Sequence, residues 1–276
     1  MNYRSCIRRA SLVVFLSFGA LLLFAPIFLT LTTSFKTPPE ITIVPPPVFP
    51  KSFLNFNNYS QVFHRLSFGK LLLNNMLLCS TVLTVTVILV PLAGYGFAKF
   101  NFLGKEIFFF MIIGVLMVPF QSVAIPLFLF MKSLKLVDTF LGLALPLLIS
   151  AFGVLLMREF LSTIPNDYID AARIDGCSEI RTFFTIILPM LRPALAALII
   201  IKFMWTWNEF FWPLLIINTK TKAVVTLGLS YLSNFCFREY HLITAAAILS
   251  LLPLFILFGI LREWMIKALT GTGLKA

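Results

Sequence analysis

Apolar runs dominate this chain, and its polar residues gather in the gaps between them. The runs fall at 10–31, 71–97, 107–131, 140–157, 194–217 and 242–261. A helix needs about 20 predominantly apolar residues to cross the hydrocarbon of a bilayer. The pattern therefore predicts an all-α, polytopic membrane protein, with six transmembrane helices in one domain over 1–276. The first run follows Arg4, Arg8 and Arg9, like the basic start of a signal peptide. It is too long for an ordinary signal h-region and no small-residue cleavage site follows, which predicts an uncleaved anchor.

One gap stands apart from the others. Residues 164–193, IPNDYIDAARIDGCSEIRTFFTIILPMLRP, place Asp167, Asp170, Arg173, Asp175, Glu179, Arg181 and Arg192 between two apolar runs. So much charge does not lie in hydrocarbon. Pro165 ends the preceding element, and Asn166 or Asp167 is positioned to accept a backbone N–H at the start of the next. The spacing predicts a short helix from Tyr168 to Asp175, stopped by Gly176. A second helix follows from Glu179 to Leu188, capped by Ser178 and bounded by Pro189 and Pro193. Asp170, Ala171 and Ala172 leave one side of the first helix nearly without bulk, open to close approach by a second backbone. On these grounds alone, a solvated joint and a docking element are equally good readings.

Polar groups inside the runs carry the next signal. In the fifth run, Lys202, Thr206, Glu209 and Pro213 recur at helical spacing, which predicts a shared face, with Trp205, Asn208 and Trp212 as the adjoining stripe. Charged side chains deep in a bilayer cost on the order of 3 kcal/mol each on insertion scales, and so turn to a bundle interior or to water. This face is predicted to line a cavity, and indoles beside Asn and Glu suit sugars, with their apolar ring faces and hydroxyls. The competing reading has Lys202 and Glu209 neutralising each other within a protein interface. In the second run Gly94, Gly96 and Ala98 predict close helix approach. In the third, Pro119, Gln121 and Pro126 predict a kink. Between the first two runs, Pro38, Pro39, Pro45, Pro46, Pro47 and Pro50 predict extended polyproline-type backbone, with a short helix over 55–63.

Composition removes several classes of function. Hydrophobic residues make up 59% of the 276 and the mean hydropathy is +0.97, more apolar surface than one soluble core of that size can bury. The net charge of +11 does not point to nucleic acid, because the basic residues stand singly at the ends of apolar runs. With both termini in the cytoplasm, twelve basic residues fall inside and nine outside, a small bias in the expected direction. Cys6, Cys79, Cys177 and Cys236 lie far apart, and with His64 and His241 they form neither a disulfide framework nor a metal site. There is no GxxxxGK[ST] phosphate loop and no nucleophile–base pair, so no enzyme activity is expected of the chain.

DAARIDG, followed by ILP at Ile187 to Pro189, resembles the cytoplasmic coupling loop of permease subunits of ABC importers. The resemblance extends along nearly the whole chain, to the maltose-type carbohydrate-uptake permeases. Its further motifs are TSFK at Thr33, NNY at Asn57, AGYGFAKFNFLGK at Ala93, VPFQSVAIPLF at Val118, SAFGVLLMREFLSTIP at Ser150, WNEFFWPL at Trp207 and the ending KALTGTGLKA. It implies a type I ABC importer permease fold in a bacterial inner membrane. It also implies Asp170, Ala171, Ala172, Asp175 and Gly176 as the contact with a separate ABC ATPase dimer, which binds ATP and magnesium. A second homologous permease and an extracytoplasmic solute-binding protein would complete the assembly, the cargo being a di- or oligosaccharide, a sugar alcohol or glycerol phosphate. Two departures stand out. Asp170 replaces the family's usual Glu, and Lys202 occupies a place where relatives tend to carry a small polar residue, which would suit an acidic or phosphorylated solute. The alternative is an ion-coupled secondary transporter that titrates Glu209.

Overall fold

The structure is a computed structural model in which residues 3–235 and 239–271 are described; Cys236, Arg238 and the 272–276 end of the last motif lie outside them. Hydrocarbon offers backbone N–H and C=O groups no water, so each must be paired within the protein, and helices do this locally. In chain order the helices are α1 (Tyr3–Ser34), α2 (Pro38–Thr42), α3 (Asn57–Arg65), α4 (Phe68–Lys99), α5 (Lys105–Met117), α6 (Phe120–Ser133) and α7 (Phe140–Leu148). They continue with α8 (Ala151–Ser162), α9 (Asp167–Ile174), α10 (Glu179–Met190), α11 (Arg192–Trp207), α12 (Phe211–Ile216), α13 (Val225–Phe235) and α14 (Tyr240–Gly271).

Four stretches are long and apolar enough to span a bilayer as expected: Ser11–Ser34, Phe68–Lys99, Phe140–Ser162 and Tyr240–Glu263. The third and fifth predicted spans bend sharply at a break between two helices. Over 107–131, α5 and α6 meet at 102°, because Val118 is extended at φ −91, ψ 116, the conformation favoured before a proline. The kink expected here is thus nearly a right angle. Over 194–217, α11 stops at Trp207 and α12 starts at Phe211, while α10 runs into α11 at 79°.

The chain divides into two units. The first holds 1–69 with 228–252. Its proline-rich loop is more built than the expected extended spacer. Pro38 and Pro39 open α2, where the fixed proline φ suits a first helical turn and the missing N–H costs nothing. Glu40 accepts the Thr37 N–H and hydroxyl at 2.7 Å and the Lys51 N–H at 2.7 Å. Those bonds, the Thr37 N–H first, hold its carboxyl below the usual range. Asn58 donates to the Ser34 and Lys36 carbonyls at 2.8 and 2.9 Å, fastening α3 to the end of α1. The helix expected over 55–63 is α3.

The second unit holds 70–227 with 253–276. The glycine signal in α4 resolves to one position. A Cβ on Gly94 would stand 2.7 Å from Met157 Cβ and 3.1 Å from the Arg158 amide, whereas Gly96 has open space. Gly94, and not Gly96, lets α4 approach the backbone of α8 this closely. Elsewhere Asp138, in the turn before α7, accepts the Asn218 and Thr219 amides at 3.0 Å, the Thr219 hydroxyl at 2.6 Å and the Lys222 ammonium at 3.0 Å. These partners, the Thr219 hydroxyl first, hold its carboxyl well below the usual range and fasten the α6–α7 turn to the segment after α12.

Candidate functional site

The loop over 164–193 folds much as its sequence dictates. α9 covers Asp167–Ile174, with Asp175 as its C-cap. Gly176 takes φ +76, and the chain closes on itself: the Cys177 N–H donates to the Ala172 carbonyl at 2.9 Å and the Gly176 N–H to the Arg173 carbonyl at 3.0 Å. These two bonds form a Schellman ending, which needs a left-handed residue at this position. No atom crowds Gly176 within 4 Å, so conformation and not space selects glycine. Ser178 caps the next helix by accepting the Arg181 N–H at 3.4 Å. That helix loosens into a π-turn over Phe183–Ile187, immediately before Pro189, which cannot donate to the Thr185 carbonyl.

Two expectations about α9 need correction. No side chain caps its start. Asn166 Oδ1 instead accepts the Lys99 ammonium at 2.8 Å, and the same ammonium donates to the Ile164 carbonyl. Nor is one side of the helix bare: Ala172 turns inward with Ile169, while Asp170, Ala171 and Asp175 face outward beside Ile174, which is 87% exposed. Ile169 packs in one buried cluster with Tyr95 of α4, Met157 of α8 and Phe183 and Ile187 of α10. Arg173 bridges Asp170 at 3.2 Å and Glu179 at 2.7 Å, and Glu179 accepts the Tyr95 hydroxyl at 3.3 Å. α9 is thus tethered to α4 by Lys99 and Tyr95 and seated by Ile169. No pattern in the sequence singles out Tyr95, and Lys99 reads only as a charge at a span's end.

The fifth span departs further from expectation. Lys202 and Thr206 are buried on α11, but Glu209 lies in the break and Pro213 on α12, so the four do not share one helical face. Pro213 explains the break: it has no N–H for the Glu209 carbonyl four residues back, and the Thr226 hydroxyl donates to that carbonyl at 2.6 Å instead. The Glu209 carboxylate accepts the Trp212 N–H at 3.0 Å, capping the restart. The expected indole stripe also divides. Trp205 is 53% exposed and Asn208 is exposed, whereas Trp212 is fully buried. Trp212 Nε1 donates to the Gly142 carbonyl at 3.1 Å, a carbonyl left free by Pro146 four residues on. Lys202 is 7% exposed; its ammonium lies 3.5 Å from the Ile149 carbonyl and does not meet Glu209. Among the described residues no cluster of His, Cys, Asp and Glu could hold a metal ion.

Residues 90–271 match the family described as binding-protein-dependent transport system inner membrane component. The chain is 32% identical over 270 residues to the arabinooligosaccharides transport system permease protein AraQ of Bacillus subtilis, covering 97% of this chain and 96% of that one. It is 28% identical over 267 residues to the sn-glycerol-3-phosphate transport system permease protein UgpE of Yersinia enterocolitica, covering 94% and 95%. Its fold resembles a chain of a bacterial ABC transporter involved in import of the acidic polysaccharide alginate, with a TM-score of 0.82 at 22% identity, covering 96% of this chain and 99% of that one.

Proposed function

The chain belongs to the inner membrane components of binding-protein-dependent transport systems, and from that premise we propose that it couples a separate ATPase to the import of a sugar-like solute. The observation that carries the reading is the outward face of α9. Ile174 of α9 and Ile180 of the adjoining α10 are 87% and 71% exposed on a charged loop, apolar surface that burial against a partner would stabilise. A cleft in an ATPase subunit supplies that burial. Asp170, Ala171, Asp175 and Gly176 shape the contact, and Ala172 packs inward.

The transmission follows from the tethers. Closure of an ATPase dimer on ATP and magnesium pushes α9. Ile169 passes the push into the cluster shared by α4, α8 and α10, while Lys99 and the Tyr95–Glu179–Arg173 chain keep α9 from sliding past α4. The spans rock against a second, homologous permease, and solute handed over by an extracytoplasmic binding protein passes the face that carries Trp205, Asn208 and Glu209. This orientation puts α9 and both termini in the cytoplasm. Relatives named for arabinooligosaccharides and sn-glycerol 3-phosphate support an oligosaccharide or a polyol phosphate as cargo. Glu209, which an ion-coupled carrier would titrate, is engaged as a cap on Trp212.

The test is ATP hydrolysis by the assembly purified through a tag on this chain. Cargo-stimulated hydrolysis is expected to be lost in Gly176→Pro and in Asp170→Lys. Absence of a co-purifying ATPase, with normal transport by both variants, would end the importer reading.

A further inference from the structure

The fourth span is interrupted near its middle. α7 ends at Leu148, Ile149 and Ser150 are extended, and α8 restarts at Ala151 and runs for 12 residues. A helix that starts inside a span leaves N–H groups unpaired at its first turn, where the positive end of its dipole also lies. Ser150 takes two of them, its hydroxyl accepting the Gly153 N–H and its carbonyl the Val154 N–H, each at 3.0 Å. The Ala151 and Phe152 N–H groups find no acceptor among the described residues.

Lys202 aims at the same break from α11. It is more than nine-tenths buried, yet its ammonium, which carries three donors, has one acceptor, the Ile149 carbonyl at 3.5 Å. That distance is at the outer limit of a hydrogen bond. No carboxylate pairs with it among the described residues. Thr86 already donates to the neighbouring Leu148 carbonyl at 3.3 Å, so carbonyl capping at the break does not require an ammonium. Beside it, Trp205 meets Phe152, the second residue of α8, edge to face at 5.3 Å, and leaves half its surface open. A buried cation, a helix N-terminus and a half-open indole thus converge. Each of the first two favours negative charge, and a sugar hydroxyl supplies none.

We propose that this break is an anion-recognising subsite of the translocation path. Lys202 and the α8 N-terminus hold an oxyanion, carboxylate or phosphate, on a saccharide-sized solute whose ring lies against Trp205. The inference rests on the importer reading and narrows its cargo from sugar-like to acidic.

It is tested by uptake into proteoliposomes holding the whole assembly: this chain, the second permease, the ATPase and the binding protein. The probes are mono- and disaccharides, each in neutral, uronate and phosphate form. The ratio of acidic to neutral uptake is expected to fall by about tenfold in Lys202→Met, the loss of one charged contact, and to persist in Lys202→Arg. The acidic form whose ratio collapses distinguishes carboxylate from phosphate. A native assembly that prefers neutral sugars, or a native ratio in Lys202→Met, overturns the subsite and leaves the importer intact. No ATP-dependent uptake of any probe, with no ATPase co-purifying, overturns the importer reading and the subsite together.

Discussion

The α9 loop and the break in the fifth span are both polar islands in an apolar chain, and they spend their polarity in opposite ways. In the loop, the charged side chains pair mainly with side chains, Arg173 with Asp170 and Glu179, and the backbone finishes its own turn at Gly176. In the span, side chains pair with backbone: Thr226 with the Glu209 carbonyl, Glu209 with the Trp212 N–H, Asn75 with the Trp207 carbonyl. Water at the loop satisfies whatever the turn leaves over. Hydrocarbon satisfies nothing, so the interrupted turns of this span borrow partners from other side chains. A polar residue inside a span is therefore first a candidate for repairing backbone, and only what exceeds that repair points to cargo.

The largest effect should come from breaking the loop's own closure. Gly176→Pro removes a donated N–H and forbids φ +76, a change worth about 3 kcal/mol or more in regular helix; cargo-stimulated ATP hydrolysis should fall at least to basal level. Gly176→Ala meets no atom within 4 Å, loses about 1–2 kcal/mol to backbone strain, and should retain part of the stimulation in the same assay. Next comes Gly94→Val, which drives a side chain into the Met157 backbone. Overpacking of this kind costs about 1–3 kcal/mol and should lower the melting temperature of the detergent-purified subunit, while Gly96→Ala should not.

Borrowed partners in the span give a comparable test. Thr226→Val leaves the Glu209 carbonyl without its donor, at about 1–3 kcal/mol for an unsatisfied buried acceptor, and Thr226→Ser should restore the native melting temperature. The smallest effect is one of pH. Asp138 contributes stability above the unfolded carboxyl value near 3.9, and this is lost only as pH falls through its depressed folded value. Between pH 8 and pH 5 the difference in melting temperature between native protein and Asp138→Asn should stay constant; a difference that vanishes toward pH 5 would show that the carboxylate is not held by Thr219 and Lys222.

The loop was legible because its signals are local. Gly176, Ser178 and the charges act within a turn or two of themselves, so spacing alone specifies α9. Four of the six spans were legible for the same reason, since length and hydropathy suffice to define them. The breaks were only half legible. Pro119, Pro146 and Pro213 announce freed carbonyls, but how far the chain bends there depends on donors distant in sequence. Trp212 is 70 residues from Gly142, and Thr226 is 17 from Glu209. Helical spacing placed Lys202 and Glu209 on one face because it assumed an unbroken helix, and Pro213 cancels that assumption. Tyr95 and Ile169 show the same limit, because what makes them matter is a contact across helices.

α1 has one consequence of another kind. The apolar window of its candidate span, within Ser11–Ser34, is 0% buried. A helix surface of this kind has lipid or another protein as its only acceptable solvent.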